Sequence, residues 1–167
     1  FNPSWSPDGT IIVYRKGMGN LIRGQTHSVA PGIYVVPTKG GEQQFITTEG
    51  RRPVFSQNGE RLLLHSREND KNALISVNLS GSDRRIIATS KFSSRFVISP
   101  NDQWIAFTER FHVYVAPLPK TGKTIDLSPK MSSLPVVRMT KDSGFEAHWS
   151  AHSKTLHWTL GLSLIHI

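Results

Sequence analysis

Polar residues of the kind that do chemistry recur at one fixed place in this chain. Four positions ahead of Ser6, Ser56, Ser99 and Ser150 stand Asn2, Arg52, Arg95 and Glu146. If each begins the innermost strand of a repeated β-unit, the four ring one mouth of a central channel. Arg52 and Arg95 then form part of a rim that attracts anions. The plainer alternative is that all four are simply exposed strand starts. A second group, His148, His152 and His157, offers imidazoles that could ligate a metal. A zinc site needs three or four converging ligands and an ordered surround. Only Glu146 adds a carboxylate at a ligand-like interval, and His148 and His152 flank a chain reversal, so these histidines read as polar residues at a blade edge. Thr121-Gly-Lys-Thr124 matches the end of a phosphate-binding loop, but Pro117 stands where that loop needs glycine and no helix follows, so it reads as a hairpin turn. There is no Gly-x-Ser-x-Gly elbow and no His-Glu-x-x-His helix. Asn78-Leu-Ser80 fits the glycosylation pattern but sits where a strand enters its hairpin, and it carries no weight. No residue is assigned a catalytic, cofactor-binding or metal-binding role.

The elements that would hold these residues come from a repeat. Asn2-Pro-Ser-Trp-Ser-Pro-Asp-Gly-Thr-Ile-Ile-Val-Tyr14 returns as Arg52-Pro-Val-Phe-Ser-Gln-Asn-Gly-Glu-Arg-Leu-Leu-Leu64 and as Arg95-Phe-Val-Ile-Ser-Pro-Asn-Asp-Gln-Trp-Ile-Ala-Phe107. A fourth copy is Glu146-Ala-His-Trp-Ser-Ala-His-Ser-Lys-Thr-Leu-His-Trp158. The serines recur at intervals of 50, 43 and 51 residues. A period near 45 with several strands in each is the mark of a β-propeller, one four-stranded blade per repeat. Six and eight positions after each serine the side chains are large and apolar: Ile12 and Tyr14, Leu62 and Leu64, Ile105 and Phe107, Leu156 and Trp158. Alternation commits one strand face to a core. Val13, Leu63 and Ala106 between them are apolar too, as when a second sheet covers the other face; His157 is the exception. Pro7-Asp8-Gly9 and Asn58-Gly59 suit tight turns, Asn101-Asp102 still tolerates one, and His152-Ser153 is the weakest.

Third strands are expected at Gly32–Val36, Ala73–Val77 and His112–Ala116, and closing strands at Gln44–Thr47, Arg85–Ala88 and Val136–Thr140. No window has helical periodicity. The expected fold is therefore all-β, a partial β-propeller of three complete four-stranded antiparallel blades plus the first two strands of a fourth. Blades are placed at about 1–48, 51–90, 94–141 and 145–161. Residues 162–167, Leu-Ser-Leu-Ile-His-Ile, abandon the repeat and read as a non-native tail derived from a sequencing adapter. With no initiator methionine at Phe1 and too few blades to close, the chain is expected to be a piece of a larger propeller. Expressed alone, 1–161 is expected to aggregate or stay partly unfolded, because an open blade face and open strand edges go uncovered.

Charge narrows the function classes. Lys and Arg number 20 against 12 acidic residues, a net +8. The cations are scattered through turns (Arg15-Lys16, Arg51-Arg52, Arg84-Arg85, Lys120, Lys123) without interleaved aromatics, so a solvated surface is expected rather than a nucleic-acid face. No cysteine is present, which removes disulfides and thiolate metal sites from this segment. No apolar run is long enough for membrane insertion. The 15–31 connection, with Gly17, Gly19 and Gly24, is the longest in the first blade. Connections of that length carry function or are simply mobile.

The Ser-Pro-Asp-Gly turn at Ser6–Gly9 and its degenerate copies resemble the TolB-like propeller repeat over residues 1–161. Within it, Tyr114-Val-Ala-Pro-Leu-Pro-Lys-Thr-Gly-Lys-Thr-Ile-Asp-Leu-Ser-Pro129 and Lys154-Thr-Leu-His-Trp-Thr-Leu-Gly161 resemble a narrower bacterial group. In that group such a propeller precedes a metal-dependent amidohydrolase barrel. The resemblance implies an exported parent, periplasmic or secreted, that hydrolyses non-peptide carbon–nitrogen bonds. Its divalent metal, zinc in expectation, is held by histidines and acids of the downstream barrel. None of those ligands maps onto this chain, so no cofactor is assigned here and the segment itself is expected to be non-catalytic. The expected partner is the parent's own downstream catalytic domain, with other proteins as a further class. Two alternatives stay open: a non-enzymatic TolB-type interaction propeller of the cell envelope, and the propeller gate of a prolyl-oligopeptidase-type serine peptidase.

Overall fold

A computed structural model describes residues 2–17 and 30–166. Their chain order is strand after strand. The first repeat gives β1 (Ser4–Trp5), β2 (Ile11–Lys16), β3 (Gly32–Pro37) and β4 (Gln44–Thr47). The second gives β5 (Arg51–Phe55), β6 (Arg61–Glu68), β7 (Lys71–Asn78) and β8 (Arg85–Ser90). The third gives β9 (Ser93–Ile98), β10 (Trp104–Glu109) and β11 (His112–Pro117), followed by the two-residue β12 (Ile125–Asp126) and β13 (Val137–Arg138). Last come β14 (Phe145–Trp149), β15 (Leu156–Leu160) and β16 (Ser163–His166). Among the described residues there is no helix. The all-β, blade-by-blade reading of the sequence holds. Most of the 15–31 connection lies outside the described residues.

The chain divides into two compact units. One comprises Phe1–Arg67 with Leu74–Ile86, the other Glu68–Ala73 with Ile87–Ile167. The first unit holds the antiparallel sheet β1-β2-β3-β4 together with β5, β6 and most of β7. Its core is Val13, Ile33, Val35, Ile46, Leu62, Leu64, Ile75 and Val77, all buried. Tyr14 stacks on Tyr34, and Phe45 meets Tyr34 edge-on. The second unit holds β13-β11-β10-β9 and β14-β15-β16, with Ala106, Val113, Ala147, Leu156 and Trp158 packed into one apolar cluster.

Equivalent positions are buried as the repeat requires. Leu62, Leu64, Ile105, Phe107, Leu156 and Trp158 are all buried, and so are Val13, Leu63 and Ala106 on the opposite face. Burial on both faces follows from sheets covered on each side. The first copy differs: Ile12 and Tyr14 are only half-buried, and Trp5 is 62% exposed.

One hydroxyl builds every turn. The backbone N–H groups of Gly9, Gly59, Asp102 and Ser153 donate to the carbonyls of Ser6, Ser56, Ser99 and Ser150, each at 2.9 Å. Each serine Oγ accepts the N–H five residues on, from Ile11, Arg61, Trp104 and Thr155, at 2.9–3.1 Å. The same Oγ donates to the side chain two residues on: Asp8, Asn58 and Asn101 Oδ1, and His152 Nδ1. The third turn residue adopts a left-handed backbone in all four copies, with φ of 71°, 73°, 54° and 60°. Glycine fits there freely, and Asp102 and Ser153 at modest cost.

Two strands lie outside the repeat. β12 pairs parallel with β8, Ile125 opposite Ala88, and is fixed by Leu127 N–H donating to Thr89 O at 2.7 Å. Asp126 accepts from Thr89 Oγ1 and from Lys71 Nζ. Residues 163–166 pair antiparallel with β15, so the last sheet has three strands where the repeat assigns two. Apolar Leu162, Leu164 and Ile165 after the left-handed Gly161 suffice to close a hairpin.

Candidate functional site

Three of the four candidate rim residues share a backbone feature. Asn2, Arg52 and Glu146 all have left-handed φ, 72°, 52° and 48°; Arg95 does not. Non-glycine residues in that region are strained, and such strain concentrates where a strand must re-aim its side chains. Register shifts between Arg51 and Val54, and between Phe145 and His148, mark the local bulges responsible. In the second unit the Arg95 guanidinium forms an ion pair with the Glu146 carboxylate. Asn2 and Arg52 belong to the first unit.

The histidines also come partly together. His148 and His157 are cross-strand partners with rings stacked 5.2 Å apart, and His166 pairs with His157 from the other side at 6.0 Å. His152 instead serves its turn, accepting from Ser150 Oγ and Lys154 N–H at Nδ1. Among the described residues no group of three or more His, Cys, Asp or Glu is placed to hold a metal. Thr121-Gly-Lys-Thr124 is an exposed turn, with Lys123 N–H bonded to Thr121 Oγ1.

A feature missed by the sequence reading lies in the first unit. A cleft of about 290 Å³ is walled by Arg15, Thr48, Arg51, His65, Ser66 and Arg67. The end of β2 supplies Arg15, the start of β5 supplies Arg51, and the end of β6 supplies His65, Ser66 and Arg67. Arg51 and His65 are direct cross-strand partners, and β2 packs against β5, so these three strand ends meet. Gly50 also lines the cleft and makes the close turn from β4 into β5. Its φ is +83°, and a Cβ there would stand 2.8 Å from Leu64 Cβ. No carboxylate is among the lining residues. The nearest acid in sequence, Glu49, is already engaged: both its oxygens accept from Arg84 at 2.8 Å and one accepts from Ser66 Oγ. The Arg84 bonds hold the Glu49 carboxyl below its ordinary range. Arg15 Nε is buried and has no hydrogen-bond partner among the described residues. The sequence signal was present as the Arg15-Lys16 and Arg51-Arg52 doublets, which read as scattered surface charge.

No protein-family model matches the chain, and no curated protein does. Solved structures do. TolB from Acinetobacter baumannii superposes with a TM-score of 0.62 at 20% identity, over 95% of this chain and 38% of that one. The fold is that of a TolB-like β-propeller. A second structure, described as putative TolB from Agrobacterium tumefaciens, gives 0.55 at 19% identity, covering 82% of this chain and 47% of that one. The periplasmic gluconolactonase of Pseudomonas aeruginosa gives 0.54 at 16%, covering 98% and 52%. At these identities the likeness is one of fold. The propeller segment spans about half or less of the length of each of these structures.

Proposed function

We propose that this chain is the accessory propeller of a longer exported protein, an amidohydrolase-like enzyme whose metal-dependent barrel hydrolyses non-peptide carbon–nitrogen bonds. The observation that carries the scaffold part is the TolB-like fold over 95% of the chain, against 38% of the TolB structure's length. The amidohydrolase part rests on the stretches at 114–129 and 154–161. The propeller's role is to shape access to the catalytic domain and fix its position, with Arg52 and Arg95 as cationic rim residues. The metal belongs to residues of that domain, and no step of the chemistry is assigned to side chains described here. The periplasmic gluconolactonase among the similar structures supports an envelope or extracellular location. A TolB-type interaction propeller without catalysis is the second reading, favoured by the two TolB superpositions.

Reading the gene beyond codon 161 and assaying the complete product separates them. A downstream barrel with a His-x-His pair, and amide hydrolysis abolished by a chelator, supports the enzyme. A stop soon after the last blade sinks the enzymatic reading and leaves the interaction propeller. A Gly-x-Ser-x-Gly domain replaces both with a serine peptidase.

A further inference from the structure

We propose that Asn58, in the β5–β6 turn, is a site of spontaneous modification. Its side-chain amide is converted to a carboxylate by the backbone nitrogen that follows it, and the turn's own hydrogen bonds set the rate. The proposal is independent of what lies downstream. Asn58 alone among the asparagines of the chain precedes a glycine, Gly59; the others precede Pro3, Leu21, Asp70, Ala73, Leu79 and Asp102. Without a Cβ, glycine leaves its backbone nitrogen open to approach the preceding side chain. The Gly59 nitrogen gives up its proton and bonds to Asn58 Cγ. The bond from Cγ to the side-chain nitrogen breaks, ammonia leaves, and a five-membered succinimide closes. Water then opens that ring at either carbonyl, giving aspartate or the isoaspartate in which the chain runs through Cγ. The balance is one water taken up and one ammonia released, with no oxidant, metal or second protein.

The closed turn holds this attack off. Gly59 N–H donates to Ser56 O at 2.9 Å. Asn58 Oδ1 accepts from Ser56 Oγ at 2.8 Å and from Glu60 N–H at 3.2 Å, and Nδ2 donates to Glu60 Oε2 at 2.6 Å. The atoms that must react are therefore committed to the turn, and reaction proceeds through its local openings. Asn58 and Glu60 are exposed, so water competes for these bonds and the openings are frequent.

The repeat shows what the product meets. The first copy has a carboxylate in this place, and Asp8 accepts from Ser6 Oγ, Thr10 N–H and Thr10 Oγ1. The second copy offers the same serine and backbone donors but carries Glu60 where the first has Thr10. A carboxylate at 58 loses the bond from Nδ2 and faces a like charge in place of a hydroxyl. Modification therefore loosens the β5–β6 hairpin.

The test ages the full chain at physiological temperature and mildly alkaline pH and follows every asparagine-bearing peptide by mass spectrometry. Asn58 should convert ahead of all the others, to a mixture of aspartate and isoaspartate. Ser56→Ala frees the side-chain amide and should speed the conversion severalfold in the folded chain. Urea should speed the parent at least as much, and this comparison alone decides if Ser56→Ala fails to fold. Gly59→Ala is tested in urea, because the left-handed φ of 73° strains alanine in the folded turn. There it should slow the conversion about tenfold, since a Cβ crowds the attacking nitrogen. Asn58→Asp should melt below the parent, and adding Glu60→Thr, which restores the first turn's chemistry, should recover the melt. Earlier conversion of another asparagine, equal rates with and without urea, or an Asn58→Asp chain that melts no lower than the parent overturns the proposal.

Discussion

Ser99 shows how much of a blade one side chain decides. It is 1% exposed, its hydroxyl donates to Asn101 Oδ1 at 2.7 Å, and it accepts the Trp104 N–H at 2.9 Å. Ser99→Ala should cost about 1–3 kcal/mol in chemical denaturation, because a backbone donor loses its acceptor in a half-buried place. The fourth turn uses His152 where the first uses Asp8, whose carboxyl is held below its ordinary range first by the Ser6 hydroxyl and then by Thr10. An ionised acceptor makes the stronger bond. His152→Asp should therefore stabilise the chain by about 0.5–1 kcal/mol, read as a rise in denaturation midpoint. The serine pattern was legible because the turn demands an identical hydroxyl at each copy. The role of His152 was not, since an imidazole nitrogen stands in for a carboxylate oxygen only when the geometry is seen.

Strands were readable where alternation ran unbroken. The pairs β2 with β3 and β10 with β11 keep full registers of six residues, and their apolar positions stand out in the sequence. Alternation fails where the backbone bulges. At Arg52 the left-handed φ and the register shift mean that period two no longer tells which of the Arg51-Arg52 doublet meets the cleft. The sequence reading named Arg52 for a candidate rim and pointed to no cleft; Arg51 lines the cleft. β12 was invisible for another reason: two residues make a strand only when a neighbour is waiting, and β8 is that neighbour. Gly81 presents the reverse case, a local constraint with a clear consequence. Its φ is +78°, and a Cβ there would approach Ile46 O to 2.0 Å. Gly81→Ala should cost about 2 kcal/mol or more from backbone strain and displacement together, measured by urea titration.

Across the whole chain, acid titration pulls in two directions. The Glu49 and Asp83 carboxyls are held below their ordinary values by hydrogen bonds from arginines, Arg84 for the first, Arg85 and Arg61 for the second. Groups depressed in the folded state stabilise it above the unfolded value and lose that contribution as pH falls through the folded one. Glu109 runs the other way. Burial raises its carboxyl above the ordinary 4.5, so its ionised form costs stability at neutral pH and the cost vanishes on protonation. Glu109→Gln should be more stable than the parent at pH 7, and the gap should close as pH falls through the raised folded value toward 4.5. A gap that persists into acid would place the effect in packing instead of charge.

The short parallel strand after the third blade has one more consequence. By lying along Ala88 and Thr89, Ile125–Asp126 occupies the outer margin of the second sheet, where exposed amides would otherwise recruit extended peptide from another molecule. Two residues of an unremarkable connection therefore act as a built-in stopper against strand exchange and fibril growth at that margin, a role that neither their length nor their composition advertises.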